Sequence, residues 1–126
     1  MNELIISEIN IENMIYEIRG KQIMLDSDLA KLYQVETKRI NEAVKNNKEK
    51  FPERFSWILT DNEEKILRSN ISTSKDKKVH GGRRYNTRVF TEQGIAMLSG
   101  VLHSEIAIKV SIQIINAFVA MRYYIC

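Results

Sequence analysis

Thr37, Lys38, Arg39, Asn41, Lys45 and Lys48 stand close together in a chain of 126 residues, and their side chains share one chemistry. Lys and Arg donate to guanine edges or phosphates, Asn bridges adenine, and Thr or Asn hydrogen-bonds a phosphate oxygen. A helix with this set on its free face carries what a DNA major groove demands. The same set opposite an apolar stripe is also what an ordinary solvated helix shows, and Glu36 and Glu42 sit among the cations.

A second cationic group is Arg83, Arg84 and Arg88 beside Tyr85, in the run RRYNTRVF. As a strand it could approach a sugar–phosphate backbone. The cheaper reading is a solvent-facing edge strand whose charges discourage pairing with other edges.

The net charge of +3 is small, but it is unevenly spread. Residues 1–14 hold Glu3, Glu8 and Glu12 and no cation, whereas residues 19–48 hold seven cations against four acids. Residues 75–88 hold six cations against Asp76 alone. Two basic segments on a near-neutral background are the electrostatic footprint of a nucleic-acid binder, because neutralised phosphates release counterions. For residues 75–80 alone, a solvated loop is the simpler account.

The elements that must position these residues follow from periodicity. MIYEIRGKQIML, residues 14–25, alternates apolar and polar about Gly20-Lys21 and predicts a β-hairpin. Leu29, Ala30, Leu32 and Tyr33 share one face of a short helix that Asp26 or Ser27 would cap. Ile40, Ala43 and Val44 form the apolar stripe of a second helix after a turn at residues 33–35. That pair has the layout of a helix-turn-helix, with Gln34 where glycine often supplies a positive φ.

Pro52 stops any helix at Phe51, and FSWIL suits a buried strand. Thr60 and Glu63 have the spacing of a capping box, predicting a helix to about Ser69. Residues 70–82 show no apolar period and predict a loop. Thr91 caps a helix through Ile95, Leu98 and Leu102. The run from Ser104 to about Tyr124 is too long for a strand, and Lys109, Gln113 and Asn116 make one polar stripe at helical spacing. Its apolar residues cover most of the remaining circumference, so it is expected in the core, with a homodimer contact as the lesser reading.

Other function classes find little support. The one cysteine, Cys126, forbids an internal disulfide and points to a reducing cytoplasm. The N-terminus lacks the basic region of a signal peptide, and Lys109, Gln113 and Asn116 argue against a membrane span. His80 and His103 lack metal-ligand spacing, and Gly81-Gly82 is not a P-loop. No enzyme, metal or cofactor is expected; the residual enzyme reading is a nuclease built from Asp26, Asp28 and Glu92.

Several blocks then recur in fixed order: IRGKQIMLDSDLAKLYQVETKRINEAVKNN, FPERFSWILT, GGRRYNTRVFTEQGIAMLS and NAFVAMR. From about Ile15 to Arg122 the chain resembles the KilA-N-type DNA-binding domains of phage and mobile elements, in particular the phage open-reading-frame-six amino-terminal domain. The resemblance implies a small α+β module that usually precedes a separate C-terminal region in phage antirepressors and regulators. No such region is present here, so a fragment or a single-domain member is expected. No set of contact residues is carried over from the family.

The expectation is therefore an α+β domain with an N-terminal β-hairpin, a helix-turn-helix-like pair, short strands and two C-terminal helices. Residues 1–13 are an acidic lead-in and 14–126 one domain. Its expected function is duplex DNA binding through Thr37, Lys38, Arg39, Asn41, Lys45, Lys48, Arg83, Arg84 and Arg88. The alternative is a protein–protein module that captures a repressor. RNA is a weaker partner, since most aromatics fall at core positions.

Overall fold

The computed structural model describes residues 10–71 and 86–125, and among them the chain is α+β. Four short strands, β1 (Tyr16–Ile18), β2 (Lys21–Leu25), β3 (Ser56–Ile58) and β4 (Arg88–Phe90), form one antiparallel sheet in the order β1-β2-β4-β3. Five helices accompany it: α1 (Asp26–Tyr33), α2 (Thr37–Lys45), α3 (Asp61–Ile71), α4 (Glu92–Leu102) and α5 (Glu105–Ile125). Single 3-10 turns occur at Ile11–Met14 and Lys48–Lys50.

The hairpin forms where the alternation placed it, but its turn lies one residue earlier. Ile18 pairs with Lys21 across Arg19-Gly20, whose φ angles are +61° and +71°. Two successive positive φ values give the turn the twist of the strands it joins. Arg19 takes up that backbone with its guanidinium over the Trp57 ring, 4.5 Å from the centroid, and bonded to Glu63 and Glu53.

β2 reads Ile23, Met24, Leu25 without a polar break, because both faces of the sheet are covered. Met24 and Phe90 face a core with Leu29, Tyr33, Ile40, Ile95, Ile114 and Phe118 from the helices. Ile23, Leu25, Trp57 and Val89 face a smaller core closed by Leu67 of α3. Ile11, from the expected acidic lead-in, is only 8% exposed and belongs to the larger core.

Caps follow the sequence with one exception. Thr60 and Glu63 exchange backbone-to-side-chain hydrogen bonds at 3.0 and 3.1 Å, the reciprocal capping box. Thr91 Oγ1 accepts the Gly94 N–H. Asp26 and Ser27 do not cap α1: Leu25 is its N-cap and Asp26 its first residue, buried beneath α2. β4 is also not the edge strand considered above. It lies between β2 and β3 and runs from Arg88 to Phe90; the first residues of the expected strand, Arg83 to Tyr85, lie outside the described residues.

α5 turns Ala107, Val110, Ser111, Ile114 and Phe118 to the core, as its length required. Its opposite side leaves Ile108 and Ile112 at 51% and 55% exposure.

Candidate nucleic-acid interface

α1 and α2 are joined through Gln34, whose backbone is left-handed at φ 63°, ψ 44°. The turn thus has the conformation usually assigned to glycine, adopted by a residue with a Cβ. The Val35 N–H donates to the Ala30 carbonyl at 3.0 Å and closes the end of α1. Ile40 and Val44 then fix α2 by its apolar stripe, and burying each stabilises the packing by about 2 kcal/mol.

The opposite face of α2 is largely exposed among the described residues. Lys38, Arg39 and Lys45 are exposed, and Lys48 is exposed on the following 3-10 turn. Thr37, Lys38, Asn41, Glu42 and Lys45 line a cleft of about 380 Å³ together with Asp26, Ile58 and Asn86. Four expected residues, Thr37, Lys38, Asn41 and Lys45, are thus brought together. Arg39 and Lys48 do not line the cleft. Arg83 and Arg84 lie outside the described residues.

Asn41 is not a free side chain. Its Nδ2 donates to Asp26 Oδ2 at 3.0 Å and to the Thr37 carbonyl at 3.2 Å. Both partners are acceptors, so the amide can meet them only through its NH2 group. Bridging adenine with donor and acceptor together, the role expected from sequence, requires a donor that Asn41 has already spent.

Arg88 is only half-buried, yet it is directed inward. Its Nη1 donates to Ser56 Oγ at 3.0 Å, and Ser56 Oγ in turn donates to the Val89 carbonyl. Desolvation lowers the Arg88 pKa, opposed by the negative charge of Asp26. Its guanidinium therefore balances the buried carboxylate under α2.

Asp26, Ile58 and Asn86 were missed as site residues. Asp26 is 2% exposed and its Oδ1 has no hydrogen-bond partner among the described residues. Ile58, at 51% exposure, is an apolar wall facing α2 across the cleft. Asn86 directs its amide NH2 to the Leu59 carbonyl and to Asp61. No local pattern marks these positions, since each depends on how α2 docks beside the β3–β4 end of the sheet.

Of the carboxylates considered for a nuclease, Glu92 is ion-paired with Arg122, while Asp26 lies beneath α2. Among the described residues, no group of three or more His, Cys, Asp or Glu could hold a metal ion, and no helix is long and apolar enough to cross a membrane.

No curated protein and no solved structure matches this chain. The family model described as the ORF6N domain matches residues 13–101, from just before the hairpin to the end of α4. That span holds the sheet, the helix pair and the whole cleft, and the chain belongs to the ORF6N domain family.

Proposed function

We propose that the chain is the DNA-binding module of a phage-type regulator and that α2 is the element it presents to duplex DNA. The observation that carries this reading is the exposed face of α2, where Lys38 and Lys45 rim a cleft while Ile40 and Val44 hold the helix from behind. The resemblance of its sequence blocks to KilA-N-type domains supports the same reading. Lys45 in the last turn also sits where the helix dipole favours a cation.

The partner is duplex DNA, no catalysis is involved, and no cofactor is needed. The test is fluorescence anisotropy of labelled duplex across a salt series. Each cation neutralising a phosphate adds about one to the slope of log affinity against log salt. Lys38→Ala with Lys45→Ala is expected to lower that slope by about two while circular dichroism stays unchanged. An unaltered slope and affinity would reject α2 as the DNA-contacting element. Absence of binding to any duplex would favour a protein partner such as a repressor, for which Glu36 and Glu42 on the exposed side of α2 offer complementary charge.

A further inference from the structure

We infer that the exposed side of α5 is a seam along which two copies of this chain pair, with their α5 helices antiparallel. The seam shares no residue with the cleft beside α2 and does not depend on DNA binding.

α5 meets the larger core through Val110, Ile114 and Phe118. Turned away from that core, Glu105, Ile108, Ile112, Ile115, Val119 and Arg122 recur at alternating steps of three and four residues. That rhythm keeps side chains on one helical face, and it is the one by which two helices interlock. Ile108 and Ile112 are 51% and 55% exposed, and Ile115 and Val119 beside them are only partly covered. A contiguous apolar stripe left to water marks an interaction surface.

The two ends of the stripe select the partner. Glu105 opens it in the first turn of α5 and Arg122 closes it in the last, at equal distances from a midpoint between Gln113 and Ile114. Two copies running the same way would set Glu105 against Glu105 and Arg122 against Arg122. With one copy reversed, each Glu105 faces the Arg122 of the other, Ile108 faces Val119, and Ile112 faces Ile115. Opposed helix dipoles favour the same arrangement. Arg122 is already paired with Glu92 of its own chain, but a guanidinium carries five donors and holds two carboxylates at once, as Arg19 does with Glu53 and Glu63. The apolar part of the seam runs about three turns. That is short for a permanent interface, so the pair forms at high concentration and parts on dilution.

Sedimentation equilibrium of the whole chain from about 5 to about 500 µM is expected to show a mass that rises from 14.7 kDa toward twice that value. Ile112→Glu, at an exposed position in the middle of the seam, should hold the mass at one chain with circular dichroism unchanged. Glu105→Arg sets cation against cation and should weaken the pair at least about fivefold. Adding Arg122→Glu to Glu105→Arg restores opposite charges across the seam and should recover the wild-type value. Ile112→Glu and Glu105→Arg leave the Arg122–Glu92 pair in place, so they decide the matter even if the double variant fails to fold.

A mass of one chain at every concentration would overturn the inference and leave the stripe to a different partner. So would a dimer that survives Ile112→Glu, since it would form through another face. A dimer abolished by Ile112→Glu yet indifferent to Glu105→Arg would overturn the antiparallel arrangement.

Discussion

Tyr33 Oη and Ser111 Oγ lie 2.6 Å apart in the buried core, joining the last residue of α1 to the middle of α5. The helix pair is thereby anchored at its turn to the longest helix of the domain. Ser111→Ala would leave the Tyr33 hydroxyl without this partner, which costs about 2 kcal/mol for a buried polar group. Urea denaturation should show that loss as a lower midpoint with an unchanged slope.

Alkaline stability follows from the same residue. Burial pushes the Tyr33 hydroxyl up to about 12, with the Ser111 bond pulling the other way. Between the ordinary tyrosine value of 10.0 and about 12, the unfolded chain releases a proton that the folded chain keeps. Stability from this group is complete below 10 and falls as pH rises through that window, by at most about 3 kcal/mol. Denaturation of wild type and Tyr33→Phe across the window should give a steeper decline for wild type.

Gly94 is needed for close approach. A Cβ there would lie 2.0 Å from the Phe55 carbonyl oxygen, a backbone atom with little freedom to move. The same carbonyl accepts the Thr91 N–H at 3.0 Å, tying the start of α4 to the segment before β3. Gly94→Ala should therefore destabilise by about 3 kcal/mol despite the better helix propensity of alanine. Gly100→Ala, with open space around its Cβ, should be neutral or stabilising, and thermal melting of the two variants compares them directly.

Acid sensitivity should appear at the hairpin clamp. Burial raises the Glu63 pKa, but Arg19 and the Thr60 N–H outweigh it, leaving the carboxyl below its ordinary value of 4.5. A depressed carboxylate contributes stability above its unfolded value and loses it as pH falls through the folded one. The stability gap between wild type and Glu63→Gln should accordingly narrow on acidification below 4.5. Thr60→Ala, which removes one half of the capping box, should cost about 1 kcal/mol at any pH.

Much of this fold was legible because its elements announce themselves locally. Thr60 and Glu63 cap as their spacing required, the stripe of Ile40 and Val44 is buried, and α5 is a helix despite its alternating middle. The site was legible only in outline. Thr37, Lys38, Asn41 and Lys45 do share a cleft, but the tie from Asn41 to Asp26 spans two helices and leaves no trace in spacing. An acid at the start of α1 looks like a cap, and only the docking of α2 above it makes it a floor. Arg88 shows the same limit from the other side. Within a run of cations it resembled a surface charge, yet its strand is enclosed by β2 and β3 and its head group bonds Ser56.

The placement of β4 sets an order of assembly. Its residues emerge last among the strands during synthesis, but they occupy the middle of the sheet, bonding β2 through Met24 and Leu25 and β3 through Ser56, Trp57 and Ile58. A nascent chain that has produced only the hairpin, the helix pair and β3 thus holds two unzipped borders with Ile23 and Trp57 awaiting cover. Such borders recruit whatever strand is nearest, including those of neighbouring nascent copies. Shortened versions ending before Phe90 should collect in inclusion bodies, whereas those retaining α4 and α5 should stay dispersed.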